Sequence, residues 1–236
     1  MEDGAEAPAP ASVLHPPSSF GTSLALSLVV TGLSAWTAGP TLGLFIGGLF
    51  AVTILVPPLA ASRTKSVPSA AAALLGVTLV WTLATLRGAP WGAIDLLRTT
   101  ACLVAFTLAI VGLLRGLRAA RVEPTVGGAV VLAAGLAWLA LPVWLSPWLD
   151  RLEPAVDALV RAHPVLAING AVAGLAPWTE MPVMYRLTSL GQDVPYRLPG
   201  TVWPCVAAHA VTGLVGWLGS AAVSRVRARW WGGSSG

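Results

Sequence analysis

The chain has 236 residues, 56% of them hydrophobic and 10% charged, with a mean hydropathy of +0.76. A water-soluble domain carries roughly 25% charged residues, so an ordinary soluble core is excluded and most of the chain must have another solvent. The net charge of +4 comes from Arg and Lys scattered along the sequence, without the clustered basic patch and interleaved aromatics of a nucleic-acid surface, so no nucleic acid is expected as a partner.

Residues 1–19 are rich in Ala and Pro and hold Glu2, Asp3 and Glu6 with no Lys or Arg. They lack the positive n-region of a secretory signal peptide, and a disordered tail is expected. The apolar run 20–59 is too long for one span. Gly39-Pro40 divides it into a helical hairpin, 20–38 and 41–59. Apolar runs of about 18 or more residues are the length needed to cross a hydrocarbon core of about 30 Å. A polar break at Ser62 to Ser66 contains Arg63, Thr64 and Lys65. A third span at 69–86 ends in Arg87 and the turn Gly88 to Trp91. The fourth, 96–114, carries Arg98 in its first turn, where a long side chain can snorkel to the headgroups. Arg115, Arg118 and Arg121 follow it, and 126–145 makes the fifth, terminated by Pro142 and Ser146-Pro147-Trp148.

The texture changes at 150–202. Residues 154–163 read as a short amphipathic helix opened by Pro154, with Val156, Leu159 and Val160 on one face and Asp157 and Arg161 four apart on the other. Such a helix belongs in the plane of the membrane interface. The apolar stretch 165–176 is interrupted by Asn169-Gly170 and Gly174 and is too short to span, which predicts a re-entrant segment. A polar loop, 178–200, holds Glu180, Tyr185, Arg186, Asp193, Tyr196 and Arg197. The last span is 203–223, and 224–236 is a basic tail with Arg225, Arg227 and Arg229 that runs into a Gly/Ser linker.

The fold class expected is therefore all-α: one polytopic transmembrane domain, 20–223, with six spans and a re-entrant or amphipathic segment between the fifth and sixth. Placing both termini in the cytoplasm puts Arg63, Lys65, Arg115, Arg118, Arg121, Arg225, Arg227 and Arg229 inside, as the positive-inside rule favours. Trp36, Trp91, Trp144, Trp148, Trp178 and Trp203 then fall at the outer boundary, where an indole has one apolar and one wet side. Arg-rich, Ala-rich composition points to a bacterial cytoplasmic membrane.

Chemistry within the spans is sparse. Pumps and proton-coupled carriers need ionisable groups inside the membrane, whereas these span interiors hold no Asp, Glu or Lys. His209 is the mid-helix titratable candidate, expected to be hydrogen-bonded to a neighbour. Cys102 and Cys205 stand far apart in apolar runs with no CxxC spacing and read as two small buried apolar residues. No P-loop, GxSxG or HExxH is present. No catalytic residue, cofactor or metal is expected, and the polar loop reads as a solvated, headgroup-contacting segment. Gly43-x-x-x-Gly47 and Gly213, Gly216 and Gly219 indicate tight packing or dimerisation.

Five spans, then a segment containing His163-Pro164-Val165-Leu166-Ala167-Ile168-Asn169-Gly170-Ala171, then a sixth span: this layout resembles the membrane subunit of ABC-2-type exporters. The resemblance implies short re-entrant helices on the outer side, with Pro164, Asn169, Gly170 and Gly174 as the candidate re-entrant residues. It also implies a dimer and a cytoplasmic ATPase subunit that pushes on a coupling helix, for which the stretch 61–67 with Arg63, Thr64 and Lys65 is the candidate. Apolar spans without functional polar groups equally suit a non-catalytic accessory or structural subunit of a larger membrane complex.

Overall fold

The computed structural model describes residues 19–38, 42–60, 66–89, 91–144, 148, 151, 153–172 and 197–231. Among them are nine α-helices and no strand: α1 (Ser19–Ala38), α2 (Leu42–Ala60), α3 (Ser66–Leu86), α4 (Ala93–Ala119), α5 (Pro124–Leu139), α6 (Leu141–Trp144), α7 (Glu153–Ala162), α8 (Pro164–Ala171) and α9 (Trp203–Trp231). Three segments are long and apolar enough to cross a membrane, Val67–Leu86, Ala93–Ala119 and Trp203–Val226. The apolar helices Phe20–Ser34, Leu44–Ala60 and Pro124–Leu139 are shorter. The fold is thus compatible with an α-helical membrane protein. The coupling candidates Arg63, Thr64 and Lys65, and Gly174, lie outside the described residues.

Local chemistry explains several helix ends. The Asp95 carboxylate accepts from the Gly92 backbone N–H at 3.2 Å, which starts α4 three residues before its predicted position. Glu123 caps α5 by accepting from Val126 N–H at 2.8 Å, with Pro124 in the first turn, where the missing N–H costs nothing. Both inter-helix turns at 87–89 and 120–122 close with a left-handed residue, Gly88 at φ 84° and Arg121 at φ 65°. In the second, Val122 N–H donates to Leu117 O (3.0 Å) and Arg121 N–H to Arg118 O (2.9 Å), the paired bonds of a Schellman ending. Arg121 occupies a position that glycine fills without strain.

The fifth predicted span is broken at Ala140 into α5 and α6. Pro142 is the cause: it has no N–H to give the carbonyl four residues back, that of Trp138. The Trp138 carbonyl, also reached by the Ala140 N–H, accepts from His163 Nε2, 2.9 Å away.

Helices α2 and α4 form the centre. Leu44, Phe45, Leu49, Val52 and Val56 of α2 are fully buried, as are Cys102 and Leu103 of α4. Phe45 sits between the rings of Trp81 (centroids 5.0 Å) and Trp91 (4.8 Å). The indole N–H groups are satisfied, Trp81 by Leu44 O at 3.1 Å and Trp91 by Thr85 Oγ1 at 2.8 Å. Trp91 is therefore a core residue rather than a member of an interfacial belt, while Trp36, Trp144, Trp148 and Trp203 are exposed.

At the opposite extreme, α9 has only 11% of its most apolar window buried. Its Val211, Leu214, Val215 and Leu218 point outward. It is attached to the bundle mainly through α4, by a contact that has no room for side chains. A Cβ on Gly112 would lie 2.8 Å from Gly213 Cα, and one on Gly213 would lie 2.8 Å from Leu108 O. Gly216 approaches the Gly112 backbone in the same way, whereas Gly219 meets nothing within 4 Å. These glycines serve packing within one chain. Gly47 does likewise against Ser34 of α1.

Candidate functional site

Pro164 opens α8 after a single intervening residue, His163, so α7 and α8 form a tight pair. The Asp157–Arg161 pair forms as its spacing predicts, at 2.7 Å on the solvent side. Val156 and Val160, on the opposite face, are buried against protein. This face packs on α8 and α9 within the chain, where an apolar stripe next to a second apolar helix finds a closer fit than at a headgroup surface.

α8 is buried along its length, from Pro164 to Ala171. Asn169-Gly170 was expected to lower helicity at its centre, yet the helix runs through both. Tertiary contact overrides propensity. Gly170 has a different use: a Cβ there would lie 2.8 Å from Leu198 Cβ and 3.0 Å from Pro199 N, so its absence admits the chain segment leading to α9. Arg98 keeps a partly exposed side chain while donating to Ala171 O at 3.3 Å, with Asp95 3.6 Å away. Ala171 ends α8, where the helix dipole favours a cation.

His163 is fully buried between α7 and α8. Burial pushes its pKa from 6.5 down to about 4, against the opposing pull of the Trp138 carbonyl, with a smaller downward contribution from His209. The sign follows. The unfolded imidazole binds a proton below about 6.5 and the folded one resists until about 4, so stability is full above 6.5 and falls as pH drops through this window. Two and a half units correspond to about 3 kcal/mol. Thermal unfolding in detergent at pH 7 and at pH 4.5 should show this loss, and His163→Gln, which keeps a donor for Trp138 O, should flatten it.

Next to His163 lies a cleft of about 300 Å³. Phe106 and Ile110 of α4, Val131 and Trp138 of α5, and His209 and Thr212 of α9 line it. Its walls are apolar, with His209 as the titratable group. Phe106 meets the His209 ring edge-on at 5.3 Å between centroids, and Trp138 lies at 6.1 Å. His209 is hydrogen-bonded to a neighbour as its sequence context suggests: Nδ1 is 2.9 Å from Cys205 O and 3.4 Å from Cys205 Sγ. Across from it, Cys102 Sγ lies 3.4 Å from Cys205 Sγ. Both cysteines are small buried core residues, as their sequence context suggests, and in addition they lie against each other. The spacing Cys205-x-x-x-His209, which sequence reasoning missed in finding no His at ligand spacing to either cysteine, puts two of these groups on one helix face. Nothing local pointed to Cys102.

An apolar cleft with one imidazole can accept an apolar group that carries a single hydrogen-bonding point. It holds no nucleophile, base and orienting acid arranged for a hydrolytic reaction. Among the described residues no set of three His, Cys, Asp or Glu side chains is arranged to hold a metal ion. No family model matches this chain, and no curated protein or solved structure matches it.

Proposed function

We propose that this chain is the membrane-spanning permease subunit of an ABC-2-type exporter, working with a separate ATPase subunit on the cytoplasmic side. In this reading α1 to α5 and α9 supply six spans in a bacterial cytoplasmic membrane, both termini are cytoplasmic, and two copies or additional membrane subunits complete the transporter. The observation that carries it is the α7–α8 pair. A helix of eight residues, too short to cross, follows the fifth apolar helix in sequence, precedes the last one, and is buried against α4, α7 and α2; the resemblance implies re-entrant helices at this point of the chain.

Two further features support the reading. Irregular and short helical backbone at membrane depth is tolerated where protein satisfies its polar groups, and Arg98 does so for Ala171 O. At the other end of α4, Arg118 donates to Ala60 O, the last carbonyl of α2 before the candidate coupling stretch. A push on that stretch would therefore reach α4, which carries both α8 and α9.

A second reading, an accessory subunit of a larger membrane complex, is favoured by the outward apolar face of α9, which could receive another subunit as readily as lipid. Purification in mild detergent separates the two. The permease reading expects a nucleotide-hydrolysing subunit in stoichiometric yield and ATP hydrolysis that depends on this chain. Recovery of other membrane subunits with no ATPase would overturn it in favour of the second.

A further inference from the structure

Cys102 and Cys205 are 103 positions apart in sequence, yet their Sγ atoms lie 3.4 Å apart where the start of α9 packs on α4. Both are free thiols and both are fully buried. Forming a disulfide asks the sulfurs to close from 3.4 Å to about 2.0 Å. The third group, His209, separates their roles. Its Nδ1–H donates to Cys205 O at 2.9 Å and faces Cys205 Sγ at 3.4 Å. Shared between that carbonyl and the sulfur, the same N–H supports the negative charge that develops as the sulfur attacks. Among the described residues, Cys102 Sγ has Cys205 Sγ as its side-chain partner.

We propose that Cys102 and Cys205 are a redox-active thiol pair, with Cys205 as the attacking sulfur and Cys102 as the resolving one, oxidised by a peroxide to a disulfide that ties α4 to α9. Burial selects the oxidant. Neither sulfur is exposed or lines the cleft, so a bulky disulfide reagent is excluded; a peroxide is small enough to enter the cleft and to reach Cys205, which lies behind its lining residue His209, on a local opening of the α4–α9 contact. Cys205 Sγ attacks one peroxide oxygen, the O–O bond breaks, and the thiol proton leaves with the departing hydroxide as water, giving a sulfenic acid. Cys102 Sγ then attacks that sulfur, the S–O bond breaks, and a second water leaves as the S–S bond forms. The two thiols lose two electrons and the peroxide gains them. The tie falls on the helix pair whose separation sets one wall of the cleft, so oxidation would hold that wall in place. The inference stands apart from the permease reading, since it rests on these three side chains alone.

The test uses full-length protein in mild detergent, reduced, freed of reductant and treated with hydrogen peroxide before alkylation and peptide mass spectrometry. The expected result is a peptide linked through Cys102 and Cys205, an intact mass about 2 Da lower from loss of the two thiol hydrogens, and no covalent dimer on a non-reducing gel. Cys102→Ser should stop at a sulfenic acid on Cys205 that a dimedone probe captures, and Cys205→Ser should give neither product. Recovery of both cysteines unlinked, as thiols or as separately oxidised acids, would overturn the proposal. So would linkage only between two copies, or a sulfenic acid on Cys102 in the Cys205→Ser variant.

Discussion

Replacing Gly112 with Leu is expected to pry α9 off the bundle. A Cβ at this position would stand 2.8 Å from Gly213 Cα and 3.0 Å from Gly213 C, and both are backbone atoms that cannot rotate aside. The reverse substitution meets the same obstacle, since a Cβ on Gly213 lies 2.9 Å from Leu108 C. In lipid no hydrophobic force drives apolar helices together, so close packing of small residues carries the association. Overpacking a filled interior costs about 1–3 kcal/mol. The upper end applies here, because α9 has little other purchase on the chain. For a protein of this size that loss lowers the unfolding temperature by roughly 5–10 °C. Thermal unfolding in detergent measures it. Gly219→Ala is the matched control: nothing lies within 4 Å of its Cβ position, and its unfolding temperature should stay level or rise slightly, as helix propensity favours Ala over Gly.

The second large effect is expected at Gly170. Substitution by Leu drives a branched side chain into Leu198 and Pro199, whose atoms already lie 2.8 and 3.0 Å from the Cβ position. Either α8 moves away from the segment leading to α9, or that segment moves and takes the start of α9 with it. Both outcomes disturb the bond from Arg98 to Ala171 O. The cost should again be about 1–3 kcal/mol, and transport or assembly should be lost while the protein still inserts. Two measurements separate these effects: yield in the membrane fraction, expected to remain near wild type, and unfolding temperature, expected to fall. An unchanged unfolding temperature with full function would mean that α8 does not need this close approach.

The helix positions were open to reading from the chain because they depend on neighbours a few residues apart; the four-residue spacing of Cys205 and His209 is of the same kind but was passed over. The runs at 69–86, 96–114 and 203–223 correspond to α3, α4 and α9, because unbroken apolar composition over that length leaves a helix as the structure that satisfies its own backbone in lipid. The Asp157–Arg161 pair follows from a spacing of four. Pro142 announced an interruption, since a missing N–H breaks a helix ladder wherever it falls.

Beyond those few-residue relations, partners are chosen by packing. That His163 would donate to the Trp138 carbonyl, that Arg98 would donate to Ala171 O, and that Trp91 would join Phe45 in the core could not be read from any window of sequence. The glycines at 112, 213 and 216 illustrate the difference. By itself the sequence determined that small residues lined those helices, and hence that something could approach closely. Only the tertiary structure decided that the something was the same chain, because two helices far apart in sequence meet along one line whose register is set by every other contact in the bundle. The same register brings Cys102 to Cys205, and it is the physical reason a pairing invisible in composition, periodicity and spacing appears once α4 and α9 are packed.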